Sequence, residues 1–374
     1  MDTKHFDLST PIYLLEEKKL RQNLELLAHI QKHSGAKILL ALKGFAFQAT
    51  FPLIRQYLVG CCASGLHEAR LAHEVFGGEV HTYAPAFKEE EIEALIMISE
   101  HLVFNSFAQW QKFKERAIGR VSCGLRINPQ CSSSPTELYN PCSPYSRLGI
   151  TQAEFKSDLL EGIEGLHFHA LCEQGADALE EVLEAFETRF GEYIAQMKWI
   201  NFGGGHHITK DGYDVEKLIR IIQEFKSRYD VEVYLEPGEA VGWQTGVLIA
   251  TVLDIVHNEM DIAILDTSAE AHMPDTIIMP YRAKVRDADK AGVKKHTYRL
   301  AGNTCLAGDI MGDYSFDHVL QVGDTILFED QMHYTFVKNT TFNGIKLPDL
   351  GILKEDATIQ IIKRFGYAQY QERL

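Results

Sequence analysis

Lys43 closes the apolar run ILLAL in KILLALKGFA. A lysine amine carried into an apolar cleft loses hydration, which lowers its pKa and leaves it nucleophilic enough to form a Schiff base. The same residue can instead lay its stem along apolar surface with its head in water. Glu236 ends VEVYL and precedes Pro237-Gly238, a turn signal that marks a strand end. A carboxylate there can act as a base, pair with a positively charged ring nitrogen, or cap the turn. His167 and His169, in LHFHA, fall on one side of an extended segment. Imidazoles so placed can bind a metal, stack on an aromatic ring, or hydrogen-bond within the fold. Gly203-Gly204-Gly205 follows KWINF; consecutive glycines let backbone N–H groups approach a phosphate, or simply supply positive φ. Cys305 lies in the polar loop AGNTCLAGD, where an exposed thiol can serve as proton donor or nucleophile. Tyr334, in HYTF, reads as an ordinary strand aromatic.

The elements that must position these residues recur along the first two thirds of the chain. Short apolar runs at 37–43, 59–64, 79–85, 101–106, 121–129, 164–171, 198–205 and 231–238 alternate with helical patterns such as Glu89–Ser99, Ala178–Met197 and Val215–Tyr229. Unbroken apolar strands between helices predict a parallel sheet covered on both faces. Eight such units over about 210 residues are the size of a closed (β/α)8 barrel; an open doubly wound sheet is the alternative. In such a barrel the active site forms at the C-terminal strand ends. Those ends carry Lys43, Ser64, Arg126, Asn128, His167, His169, Gly203 to Gly205, and Glu236.

From about Thr245 the pattern changes to strand-like segments separated by glycine, proline and polar turns: VLIATVLDIV, DIAILDT, HTYRLAG, DTILFED and ATIQIIK. A second, mostly β domain follows. PIYLL, at 11–15, is expected to add a strand to it. The resulting division is a barrel over residues 20–244 and a β domain made of 1–19 and 245–374.

The 374 residues carry 37 Lys and Arg against 52 Asp and Glu, a net charge of −15, which argues against nucleic acid as a partner and favours a cationic ligand. No segment approaches the ~20 unbroken apolar residues of a membrane span. The N-terminus shows no secretory signal, and seven cysteines without zinc-like CxxC pairs read as free thiols in a reducing cytoplasm. No metal is expected.

In this order, a lysine ending the first barrel strand, a histidine the sixth, glycines the seventh and EPG the eighth resemble the alanine-racemase-like (fold type III) pyridoxal-phosphate enzymes. The basic amino-acid decarboxylase branch, which joins a barrel to a C-terminal β domain, is the nearer match, with Thr304, Cys305 and Asp309 fitting its TCxxxD loop. LLALKGFA, SPYSRLGI, LHFHALCEQ, NFGGGHHIT, EPGEAVGW, LDTSAEAHMPD and AGNTCLAGD are together similar to the carboxynorspermidine and carboxyspermidine decarboxylase family. The resemblance implies that Lys43 holds pyridoxal 5'-phosphate covalently and that Glu236 keeps its ring nitrogen protonated. It places His169 on the ring face and Gly203, Gly204, Gly205 and Tyr334 at the phosphate. Cys305, entering from the neighbouring subunit of a homodimer, would return a proton to the carbon that loses CO₂. Glu239, Asp266 and Asp309 would receive the cationic tail of a carboxylated polyamine.

Three departures from the wider branch matter. Glu239 replaces the arginine that usually follows EPG and contacts phosphate. Leu306 replaces the acid that follows the loop cysteine in ornithine- and diaminopimelate-type relatives, so a terminal ammonium close to the reacting carbon finds no partner there. Cys172 stands about where a phosphate-binding serine is usual. The alternatives are a decarboxylase of ornithine, lysine or diaminopimelate, a metal-dependent barrel hydrolase using His167, His169, His206 and Glu236, or a non-catalytic regulator of the polyamine pathway.

Overall fold

The structure is a computed structural model describing residues 8–134 and 136–374. Most of the N-terminal stretch read for a secretory signal, residues 1–7, lies outside the described residues. The chain divides into two compact units. One is Gln22–Val241; the other joins the chain up to Arg21 to Gly242–Leu374.

The first unit is a closed barrel of eight strands. Counting β1 as Ile12–Glu16 of the other unit, these are β2 (Lys37–Ala41), β3 (Gly60–Ala63), β4 (Glu79–Tyr83), β5 (His101–Phe104), β6 (Ser122–Arg126), β7 (Ile163–His167), β8 (Trp199–Asn201) and β9 (Glu232–Leu235). Each falls on one of the eight apolar runs. All pair in parallel, and closure comes from β2 against β9 through Lys37↔Tyr234 and Ile38↔Leu235.

The helices form because apolar residues repeat on one face. In Ala176–Ile194 these are Leu179, Val182, Leu183, Phe186 and Phe190, all buried. Val215–Tyr229 starts where Asp214 accepts the Lys217 N–H at 2.8 Å and ends at Asp230, which adopts positive φ. Phe168 and Phe202, just beyond β7 and β8, lie 5.1 Å from Phe186 and Phe225 respectively. Their outward packing leaves the alternate positions to face the barrel axis.

The lower barrel layer is aromatic. Trp199 stacks on His101 at 4.3 Å, and His101 on His81 at 3.8 Å. Gly124 and Gly165 make room for the indole: a Cβ on either would lie within 2.3 Å of a Trp199 ring atom.

The second unit is a nine-stranded mixed sheet. Its long strand β10 (Gly246–Asn258) pairs with β1, β11 (Met260–Leu265) and β15 (Thr325–Glu329). The others are β12 (Asp289–Lys290), β13 (His296–Ala301), β14 (Ile310–Phe316), β16 (Asp349–Leu353) and β17 (Ile359–Lys363). PIYLL supplies β1 as expected, antiparallel to β10 and parallel to β16. Strands β14 and β16 escape a propensity reading because each carries an internal glycine; Gly351 of β16 leaves space filled by Leu14 and Ile12 side chains. Tyr334 is not on a strand. It lies in a turn that follows β15, after Asp330 has taken positive φ.

Candidate active site

The barrel brings four of the sequence-selected segments to one rim. Lys43 lies two residues past β2, His169 two past β7, the glycines just past β8, and Glu236 immediately past β9. Closure sets the first and last strands side by side. There the turn after Lys43 meets the turn after Glu236 at two glycines: a Cβ on Gly44 would be 2.9 Å from Gly238 Cα, and the Ala41 N–H donates to the Pro237 carbonyl at 3.0 Å. Lys43 is exposed at this rim. What distinguishes it is charge: its ammonium acts on Glu236, His167 and His169.

Glu236 is held at both oxygens. Asn201 Nδ2 donates to Oε1 at 2.7 Å, and His167 Nε2 lies 3.2 Å from Oε2. Burial raises the Glu236 pKa, but His167, Lys43 and the Asn201 amide outweigh it and draw the carboxyl down to about 2. Burial holds His167 below the ordinary histidine value, so a neutral imidazole donates its Nε2–H to an ionised carboxylate. Behind His167 the Tyr83 ring stacks at 5.5 Å, and the buried Arg126 guanidinium covers Tyr83 at 4.5 Å.

His169 is neutral as well: burial, then the Lys43 and Arg126 charges, press its pKa well below the ordinary value. The Gly204 N–H donates to its Nδ1 at 2.9 Å, which puts the ring proton on Nε2. The glycines therefore divide their work. Gly203 N–H goes to Asn201 Oδ1 at 2.8 Å and Gly204 N–H to His169, whereas the Gly205 N–H has no partner among the described residues. Two of the three glycine amides are thus engaged within the protein. Gly203 and Gly204 exist for close approach, since a Cβ on Gly203 would lie 2.3 Å from the Phe168 carbonyl and one on Gly204 2.4 Å from the Glu236 carbonyl. Glu239 opens a short helix, Glu239–Gly242, and is half-buried. It helps push the Cys172 thiol to about 11, behind burial and Glu173, so that thiol stays protonated.

The remaining selected residues lie in the second unit. Cys305 is exposed, a free thiol whose N–H donates to Asn343 Oδ1 at 2.7 Å. Tyr334 is half-buried beside Lys338, whose ammonium sits 5.4 Å from its ring centre. The two aspartates expected to receive a cationic tail are engaged within the unit. Asp266 accepts the Thr251 N–H at 2.8 Å and the Thr10 hydroxyl at 2.5 Å. Asp309 is 3% exposed and accepts from Ala269 and Thr304. Both carboxylates are internal acceptors, Asp266 half-buried with one donor at each oxygen and Asp309 buried with donors at both.

Sequence reasoning passed over Asn201, which links Glu236 to the glycine turn, and the Tyr83–Arg126 support of His167. Asn201 ends β8, so the strand-end rule itself points to it. Arg126 and His167 are strand-end residues by sequence, but the strand pattern offers His167 as a metal ligand or ring partner and not as the donor to Glu236. For a metal hydrolase the arrangement is unsuited: His167 is committed to Glu236 and His169 Nδ1 to an amide, and among the described residues no group of three His, Cys, Asp or Glu is disposed to hold a metal ion. Among the same residues no helix is long and apolar enough to cross a membrane.

A pyridine ring that carries a phosphate and an aldehyde fits this rim. It offers an ionised carboxylate for a ring N–H, a lysine amine, a neutral imidazole, and a glycine turn with a free amide. Comparison with known proteins agrees. The family described as pyridoxal-dependent decarboxylase, C-terminal sheet domain, matches residues 22–331. A carboxynorspermidine/carboxyspermidine decarboxylase of Campylobacter jejuni is 56% identical over 377 residues, 98% of each chain. A carboxyaminopropylagmatine decarboxylase of Synechocystis is 46% identical, covering 98% of this chain and 96% of its own. The crystal structure of carboxynorspermidine decarboxylase complexed with norspermidine, from Campylobacter jejuni, superposes with a TM-score of 0.92 at 55% identity, over 98% of this chain and 100% of that one. The chain belongs to the pyridoxal-dependent decarboxylase family.

Proposed function

We propose that this chain decarboxylates carboxynorspermidine and carboxyspermidine, releasing CO₂ and giving norspermidine and spermidine. The observation that carries the reading is a Glu236 carboxylate that His167 and Asn201 keep ionised and on which the Lys43 charge acts, in a chain 56% identical to a decarboxylase of those two substrates along 98% of both. Lys43 would hold pyridoxal 5'-phosphate through its amine, Glu236 its ring nitrogen, His169 its ring face, and the Gly205 amide with Tyr334 its phosphate. When bound, the cofactor supplies an electron sink for the pair left behind as CO₂ departs.

The chain's own residues do the rest. Glu236, ionised throughout the neutral range, keeps a proton on the nitrogen it contacts. His169, with its proton on Nε2, stays uncharged and so adds no cation to the ring face. Cys172, a neutral thiol, would add no negative charge beside a bound phosphate. Cys305 of a second copy is assigned the proton returned to the decarboxylated carbon; its exposure and free thiol support this, and it makes the active unit a homodimer. Glu239, half-buried at the start of its short helix, would receive an amine of the tail. Leu306 in place of an acid disfavours short diamino acids and suits a longer aminopropyl tail. A cytoplasmic setting is part of the same reading.

The test is twofold. Borohydride reduction of the protein loaded with pyridoxal phosphate, followed by peptide mapping, should place the label on Lys43. Product assay should then show carboxynorspermidine and carboxyspermidine turned over faster than carboxyaminopropylagmatine, diaminopimelate, ornithine or arginine. Label at another lysine, or a faster diamino acid, overturns the reading.

A further inference from the structure

Asp309 accepts hydrogen bonds at both carboxylate oxygens. Oδ1 accepts the Ala269 N–H at 2.7 Å, with the Glu270 N–H at 3.5 Å; Oδ2 accepts the Thr304 hydroxyl at 2.6 Å and the Thr304 N–H at 3.2 Å. Its own carbonyl takes the Gly302 N–H at 2.8 Å, and its N–H closes a turn onto the Leu306 carbonyl at 3.0 Å. Gly302 is obligatory here, since a Cβ would lie 2.3 Å from Asp309 Oδ2. Two motifs that are remote in sequence, LDTSAEAHMPD and AGNTCLAGD, are thus tied together by the Asp309 side chain and by the Asn303 N–H, which donates to the Thr267 carbonyl at 3.1 Å. The segment between Gly302 and Asp309 is the one that presents Cys305. Its only other side-chain anchor among the described residues is Asn343, whose Oδ1 accepts the Cys305 N–H and whose φ of 56° aims it there.

We infer that Asp309 is a positioning residue: its carboxylate sets where the Cys305 thiol stands, and it does not bind the substrate's amines. This deepens the proposed function and rests on its assignment of Cys305 as proton donor. A loop whose Thr304 donates twice to one buried carboxylate, itself fixed by the Ala269 and Glu270 N–H groups, has little freedom, which is what delivery of a proton to one carbon rather than another requires. A displaced thiol would return its proton at the wrong carbon. Such a turnover, completed by water, would end in an aldehyde and the amine form of the cofactor, an inactive enzyme that added pyridoxal phosphate would restore.

The experiment compares Asp309→Asn and Asn343→Ala in the loaded enzyme. For Asp309→Asn, kcat should fall about 10- to 100-fold, with KM for carboxynorspermidine within about twofold. The fraction of turnovers ending in cofactor amine should rise about tenfold; a merely unfolded fraction does not move that ratio. Asn343→Ala should change the same ratio in the same direction and keeps the test open where Asp309→Asn does not fold. Independently of activity, hydrogen exchange at 302–309 and 267–271 should quicken in Asp309→Asn while barrel peptides stay unchanged. A raised KM with unchanged kcat would make Asp309 a tail ligand and overturn the inference, as would unaltered exchange or an unaltered ratio in both variants. A wild-type chain that turns over no carboxylated triamine would instead remove the proposed function, leaving the exchange comparison to decide whether Asp309 anchors the loop.

Discussion

Asn201 and Glu236 are coupled through one carboxamide: Nδ2 donates to Glu236 Oε1 at 2.7 Å while Oδ1 accepts the Gly203 N–H at 2.8 Å. The carboxylate and the glycine turn therefore move as one piece. Asn201→Leu leaves a buried carboxylate oxygen without its donor, a loss of about 1.5–3 kcal/mol for a bond to a charged group. The affinity for pyridoxal phosphate, read by absorbance titration, should weaken by at least about tenfold. Unchanged affinity would show that the two ends of the carboxamide act separately.

Glu236 also sets a pH dependence of stability. Its carboxyl lies at about 2 in the folded chain against the ordinary 4.5. A depressed acid contributes its stabilisation above the unfolded value and loses it as pH falls toward the folded one. The difference in unfolding free energy between wild type and Glu236→Gln should thus be constant above about pH 5 and shrink between about 4.5 and 2. Denaturant titrations at pH 7, 5, 4 and 3 check this; a gap that widens on acidification contradicts it.

Gly205→Ala meets two obstacles. The position has φ of +83°, and the new Cβ would lie 2.0 Å from the Leu171 carbonyl oxygen. Strain of this kind costs on the order of 1–3 kcal/mol. The melting temperature should drop, and cofactor affinity should drop with it because the one unpartnered amide of the turn is displaced.

Gly165→Ala is the control on the opposite side of the barrel. Its Cβ would fall 2.1 Å from Trp199 Cδ2, forcing the indole out of its stack. Overpacking should destabilise the fold by about 1–3 kcal/mol. Because this layer lies away from the C-terminal strand ends, kcat per folded molecule should remain near wild type. A lost kcat in fully folded protein would tie the lower layer to the chemistry.

Leu306→Asp tests substrate length. Leu306 is 41% exposed on the loop that carries Cys305. A carboxylate there should raise kcat/KM for ornithine or diaminopimelate relative to carboxynorspermidine by about tenfold, the scale of one charge-assisted hydrogen bond. Competitive assays with both substrates present give the ratio directly.

Much of this protein was legible in order along the chain. Unbroken apolar runs such as ILLAL and VEVYL have to be covered on both faces, so eight of them alternating with helices imply a parallel barrel, and the strand-end rule then selects Lys43, His169, the glycines and Glu236 from local pattern alone. The departures at Glu239 and Leu306 are likewise written in the residues. Strands β14 and β16 were not, because Gly312 and Gly351 lower a propensity that their neighbours' packing restores. Nor were the partners of each charge. That Glu236 is ionised depends on Asn201 and His167 arriving from β8 and β7, and that Asp309 is an internal anchor depends on Ala269 folding back to it. A local sequence specifies which groups a segment carries, but hydrogen-bond saturation and desolvation are set by atoms from distant segments. Only the closed barrel and the assembled sheet decided which donors reach each carboxylate.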